Sequence, residues 1–340
     1  MLEGGLMPNL KTRATIYEVA KVSGYSLATV SRVINKKSNV TDETRRKILD
    51  TIEKLGYKPS ALAQGLATSK STNIGLILPA KNYVYLSNVL SGMIDVAKIY
   101  GYQTSLFFTK PDRDEVKDTI EKLIMSHVDG AILFDDALNE EDFLELTKYK
   151  IPMVVINQDI QGDNIACIRL HYSEALRHCI KEHYCYFSEP VYLLHIDNPG
   201  ILMEHLEKSI EDEMKELHRE DDFHIVNISD AYEDTYGTIY ELLKEKKKGF
   251  FISPRDSLSC AVANAALDLN LLIPQNVQIL SIVGTKYSTI MRPKLSSLYL
   301  DMYEVGSVAM RMMTKFLLST LKYKTFDFKA EVIHRQSSRL

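Results

Sequence analysis

The sequence predicts a small all-α head followed by a larger α/β body of two parallel-sheet lobes. Three observations predict this. Residues 15–66 carry short apolar stripes at helical spacing, punctuated by Gly24 and Gly56 and preceded by Thr or Ser caps. From residue 73 onward, apolar runs of four to six residues alternate with helical stretches. Charge changes sign at the same place. Twelve Lys/Arg and five Asp/Glu lie between Lys11 and Thr72, a balance of +7, and the chain total of −4 leaves −11 for the rest. A basic head on an acidic body suits a head that alone meets a polyanion.

The first helix is expected over 16–23. Thr15 caps it, Ile16, Val19, Ala20 and Val22 form its stripe, and Gly24 ends it because glycine takes positive φ without strain. Ser26 caps a second helix over 27–35, whose Val30, Val33 and Ile34 face back onto the first. Helix, tight turn, helix is the helix-turn-helix arrangement, in which the second helix enters the DNA major groove. Its outward residues are Leu27, Ala28, Ser31 and Arg32. An arginine offers a bidentate pair to a guanine edge, and Leu and Ala suit a thymine methyl. Ser26, Thr29 and Asn35 fit phosphate contacts, which set register without reading sequence.

A third helix over 42–55 is capped by Thr41 and carries Arg45, Arg46 and Lys47, either as a solvated support face or as further phosphate contacts. Lys58-Pro59 then forces extended backbone. The stretch 60–66 is too short to be a stable helix alone. It reads either as a plain linker or as a helix that forms on DNA, with Leu66 as a minor-groove wedge.

In the body, strands are expected at 74–78, 104–108, 131–134 and 153–156, then at 191–195, 223–227, 249–253 and 277–282. Helices fall between them at 87–100, 114–126 and 140–148, then at 202–218, 232–246 and 256–269. Two such series of about 100 residues suggest two lobes with a cleft between them. Near the C-terminus, Asp301 and Glu304 have capping-box spacing, so a helix should start at Met302. Glu304, Val308, Arg311 and Lys315 share one of its faces, with Tyr303 at the edge. That stripe is either a surface helix with an Arg–Glu pair or a two-pronged cationic site for a phosphoryl group.

Several classes are excluded or left without support. No run of eighteen apolar residues exists to span a membrane. Residues 1–13 lack the apolar segment of a secretory signal and read as a disordered leader, so a cytoplasmic protein is expected. The four cysteines (167, 179, 185 and 260) form no C-x-x-C pair and read as free thiols, and no metal or cofactor is expected. No nucleophile elbow, P-loop or G-x-G-x-x-G occurs, and the nine histidines are scattered, so no enzyme is expected.

Residues 15–66 resemble the head of LacI-type transcription regulators. They hold A-T-V-S-R-V-I-N at 28–35, L-G-Y-K-P at 55–59 and A-Q-G-L at 63–66. The resemblance implies a DNA-facing set of Thr15, Ser26, Leu27, Ala28, Thr29, Ser31, Arg32, Asn35, Tyr57, Ala63 and Leu66. It also implies a homodimer on a pseudo-palindromic operator, and a periplasmic-binding-protein-like body. By that resemblance the domains are a helix-turn-helix head at 14–58, a hinge helix and linker at 59–72, lobe 1 at 73–165 plus 298–326, and lobe 2 at 166–297 plus 327–340.

Sugar-responsive members of that family hold their ligand with an Arg and two Asp. This chain keeps Asp256 in Arg255-Asp256-Ser257-Leu258-Ser259, but has Val283 where the second carboxylate belongs and no Arg in 204–210. Asp256 therefore either caps its own helix or remains as a small-molecule contact. The stretch M-Y-E-V-G-S-V-A-M-R-M-M-T-K at 302–315 resembles a signature of the catabolite control proteins of low-GC Gram-positive bacteria. Those regulators are activated by HPr phosphorylated on a serine, and the resemblance assigns HPr contacts to Tyr303, Glu304, Val308, Arg311 and Lys315. The expected function is a repressor in carbon catabolite control. The alternative is a sugar-operon repressor released by an inducer.

Overall fold

The computed structural model describes residues 14–35, 37–58, 71–80, 84–196 and 200–339. They divide into two units, Met1–Ser71 and Thr72–Leu340. The expected leader, and the stretch holding Ala63 and Leu66, lie outside the described residues.

The head is three helices, α1 (Ile16–Ser23), α2 (Leu27–Ile34) and α3 (Asp42–Leu55). The Glu18 N–H donates to the Thr15 hydroxyl while the Thr15 N–H donates to the Glu18 carboxylate at 2.6 Å, a complete capping box. Gly24 ends α1 at φ +76°, with its N–H donating to the Ala20 carbonyl. Ser26 accepts from the Thr29 N–H at 3.2 Å and starts α2, which closes at Ile34 with Asn35 as its cap. Val19, Val30, Val33 and Ile48 form the head core. Val22, expected in the stripe of α1, is exposed. The buried face follows 16, 19, 20 and 23, and Val22 falls one residue short of that period.

The body holds two six-stranded sheets. The first contains β1 (Asn73–Pro79), β2 (Gln103–Thr109), β3 (Gly130–Leu133), β4 (Met153–Ile156), β5 (Ile165–His171) and β11 (Thr325–Lys329), in the order β11-β5-β4-β3-β1-β2, parallel throughout. The second contains β6 (Val191–Ile196), β7 (Phe223–Ile228), β8 (Gly249–Ser253), β9 (Val277–Ser281), β10 (Ser296–Tyr299) and β12 (Glu331–Ile333). Its order is β12-β10-β9-β8-β6-β7, with only β12 antiparallel. Successive residues of the central strands feed different cores. Leu76, Ile132 and Val154 join one cluster, and Ile77, Leu133 and Val155 another. Burial on both faces is why these strands read as continuous apolar runs.

Helices α4 (Val84–Tyr100), α5 (Arg113–Met125), α6 (Glu140–Lys148) and α12 (Met302–Leu317) accompany the first sheet. Helices α7 (Ser173–Tyr186), α8 (Gly200–Glu216), α9 (Tyr232–Lys246), α10 (Asp256–Asp268) and α11 (Lys286–Ile290) accompany the second. The lobe crossings differ from the expected 166, 297 and 327. Strand β5 pairs with β4 and with β11, so 165–171 and 325–329 both belong to lobe 1. Strand β10 pairs with β9 in lobe 2. The chain therefore crosses between β5 and α7, between β10 and α12, and between β11 and β12.

Candidate nucleic-acid interface and partner surface

On the head, α2 turns Val30 and Val33 into the core and leaves Leu27, Ala28 and Arg32 exposed on the opposite face. The Arg32 guanidinium has no side-chain partner among the described residues, so its fork is available to a ligand. Ser26 shares a 2.9 Å hydroxyl bond with Thr29, and the Asn35 amide donates to Ser31 at 3.3 Å. The four polar groups are thus held as two separate pairs. Arg45 donates to the Lys37 carbonyl at 2.6 Å and Lys47 pairs with Glu43 at 3.0 Å, so both serve α3 and its loop. Tyr57, assigned to the DNA face, packs against the head core, and burial raises its phenol above the usual range. Tyr17 projects from α1 with 71% of its surface exposed. It lies off the apolar stripe, so spacing does not single it out.

On the body, α12 is buried around most of its circumference. Met302, Val305, Ala309, Met310, Met312 and Met313 all sit in the lobe core. Its open polar groups form one stripe, Tyr303, Glu304, Arg311 and Lys315, with half-buried Phe316 and Leu317 in its last turn. Asp301 accepts from the Glu304 N–H at 3.0 Å. The reciprocal half of the expected capping box does not form, because the Glu304 carboxylate accepts from Arg311 instead. Lys315 has no partner among the described residues. Tyr303 donates to Asp95 of α4 at 3.2 Å, and that carboxylate holds the phenol above its usual range. Val308, expected among the partner contacts, is only 7% exposed and belongs to the core beneath the stripe. It shares the angular position of the stripe, yet it is packed into the lobe core.

A cavity of about 100 Å³ lies at the lobe junction. Its walls are mainly apolar and come from both lobes: Tyr85, Phe134 and Met302 on one side, Met203, Ile282 and Val283 on the other. Asp136, Asn157 and Arg255 supply its polar edge. Crowding by protein, and then the neighbouring Asp135, push the Asp136 carboxyl up to about 6.

Asp256 does not line this cavity. It is 2% exposed. Its carboxylate accepts from the Ser281 hydroxyl, the Thr285 N–H at 2.6 Å, the Thr285 hydroxyl at 2.7 Å and the Ser288 N–H at 3.2 Å. It thus caps α11 and ties the loop after β9, and does not cap its own helix, α10. Burial raises its pKa, and the donors oppose that rise.

Among the described residues no group of three or more His, Cys, Asp and Glu could hold a metal, and no helix is long and apolar enough to cross a membrane.

Comparison with known proteins agrees with this division. Residues 15–60 match the bacterial regulatory proteins of the lacI family, and residues 197–338 match the periplasmic binding protein-like domain. The chain is 30% identical over 334 residues to catabolite control protein A of Priestia megaterium, covering 96% of this chain and 99% of that one. Against catabolite control protein A of Staphylococcus epidermidis it is 30% identical over 307 residues, 89% and 92% of the two chains. Its fold matches the lac repressor dimer bound to operator and an anti-inducer, with a TM-score of 0.83 at 16% identity over 96% of this chain and 99% of that one. It also matches CcpA of Lactococcus lactis, with a TM-score of 0.67 at 21% identity over 78% and 99%.

Proposed function

Given that the chain belongs to the lacI family of bacterial regulatory proteins, we propose that it is a homodimeric repressor in carbon catabolite control, switched on by HPr phosphorylated on a serine. The coarser statement stands independently: the chain is a DNA-binding transcription regulator of the catabolite control protein A kind, and not an enzyme. The observation that carries the finer one is the stripe on α12. A helix otherwise sunk in the core keeps open one polar stripe, Tyr303, Glu304, Arg311 and Lys315. Two cations one turn apart on a rigid helix suit a phosphoryl group on a partner's surface. The test is titration of a labelled pseudo-palindromic operator, found by footprinting genomic DNA, with and without seryl-phosphorylated HPr. Tighter binding with phosphorylated HPr only is expected. Equal affinity in all conditions rejects the corepressor and leaves the DNA reading intact.

The cleft argues against release by a sugar. An apolar cavity of about 150 Å³ admits one benzene. A cavity of about 100 Å³ walled largely by Val283, Ile282 and Met203, with Val283 in place of the second carboxylate, suits a hexose less well than a polar cleft would.

In the head, we assign base reading to Leu27, Ala28 and Arg32, and backbone positioning to Thr15, Ser26, Thr29, Ser31, Asn35 and Tyr57. Ala63 and Leu66 keep their proposed minor-groove role from sequence alone. Arg32→Ala should weaken operator binding by about 10- to 100-fold, as expected for one bidentate base contact. Affinity for unrelated DNA should change far less. If both fall equally, Arg32 is a phosphate contact and another residue reads the base.

A further inference from the structure

We propose that Glu304 is an internal competitor for the phosphoryl site, holding Arg311 away from Lys315 until a dianion displaces it. The inference deepens the partner reading above and rests on it only for the partner's identity.

Glu304 and Arg311 are seven residues apart, roughly 10 Å along the helix axis. Helical side chains lean toward the N-terminus. The guanidinium has followed that lean back over nearly two turns to reach the Glu304 carboxylate, its one side-chain partner among the described residues. Lys315 lies one turn on the other side of Arg311, exposed and with no partner among the described residues. The two-pronged cation is therefore drawn apart in the free protein, and the three charges on the stripe sum to +1, not +2.

The opposite role, Glu304 as a support that aims Arg311 at the ligand, fits the geometry less well. A supporting carboxylate would hold the guanidinium beside Lys315, whereas Glu304 lies on the far side of Arg311. An incoming phosphoryl group must take Arg311 from Glu304 and bridge it to Lys315. A monoanionic carboxylate gains too little from one guanidinium and one ammonium to make that exchange, whereas a dianion gains about twice as much. Glu304 thus raises the threshold for binding, so that an unphosphorylated partner is ignored.

The experiment uses the full-length protein and its Glu304→Gln and Lys315→Ala variants. Each is titrated with inorganic phosphate, followed through the Arg311 side-chain N–H signal, and with seryl-phosphorylated HPr by calorimetry. Glu304→Gln should bind both about fivefold more tightly, the scale of one exposed charge pair acting on a doubly charged ligand. Lys315→Ala should bind both more weakly. Equal or weaker phosphate binding by Glu304→Gln, with an unchanged melting temperature, overturns the inference in favour of a supporting role. A phosphate site that gains on Glu304→Gln while HPr binds neither form leaves the competitor standing and rejects HPr as the partner. No movement of the Arg311 signal with phosphate in any variant overturns the site itself.

Discussion

Asp256→Ala should destabilise the body by about 4 kcal/mol, because it strands up to four buried donors at about 1–3 kcal/mol each and some of them find other partners. The donors are the Ser281 and Thr285 hydroxyls and the Thr285 and Ser288 N–H groups, all now held by one carboxylate. The two hydroxyls rotate to new acceptors. The two N–H groups start α11 and have no such freedom. In a body of this size that loss corresponds to a fall in melting temperature of roughly 10 °C. Asp256→Asn should cost far less, since its amide carbonyl accepts from Thr285 and Ser288 while its NH₂ donates to the Ser281 oxygen. Thermal melts of the three proteins check this. A carboxylate kept for a ligand would behave in reverse, with both variants melting like wild type and differing only in effector response.

That contrast explains why the sequence misread this residue. The donors that occupy Asp256 lie 25 to 32 positions downstream, and no local pattern announces them. The expected cap of α10 was the nearest local explanation, and it lost to a long-range one. Helix α7 and strand β5 were missed for a related reason. In α7, His183 interrupts the apolar period, yet it is fully buried. One ring nitrogen meets the Glu189 carbonyl at 2.8 Å and the other the Gln278 amide at 3.3 Å, and burial lowers its pKa. A buried histidine reads as surface when its partners are a backbone carbonyl and a side chain 95 residues away. Strand β5 ends in Arg169 and His171, and the Asp327 carboxylate that meets the His171 ring at 2.7 Å arrives on β11.

What was legible obeyed a period or a cap. The three head helices, the alternating strands buried on both faces and the open stripe of α12 all follow from spacing within one element. The stripe was legible as a set of angles and not as a set of exposures. Val308 shares the angle of Arg311, but it is packed into the lobe core, which spacing within one helix does not reveal. Which half of the capping box forms is likewise decided beyond the box itself, since Glu304 takes Arg311 instead of its own cap N–H.

The close approach of α4 and α12 is set by two glycines. A Cβ on Gly306 would stand 2.0 Å from the Val89 carbonyl oxygen, and one on Gly92 would stand 2.1 Å from the Tyr303 carbonyl oxygen. Both obstacles are backbone, which cannot rotate aside, so Gly306→Ala must push α4 and α12 apart by more than 1 Å to reach ordinary contact. Val89, Met93, Val305 and Ala309 meet across that crossing in the lobe core. The expected cost is about 3 kcal/mol, at the upper end of overpacking penalties. Gly237→Ala is the control. It lies inside α9 with open space around it, and should stabilise by about 0.5–1 kcal/mol through helix propensity alone. Melting curves that move in opposite directions confirm the crossing, and two small shifts of the same sign reject it. Gly306→Ala carries a second consequence for the proposed partner. Separating the helices breaks the Tyr303–Asp95 bond and tilts the stripe, so binding of seryl-phosphorylated HPr should weaken even below the melting transition, with Arg311 and Lys315 intact. If HPr binds that variant as tightly as wild type, the partner does not dock on this face of α12.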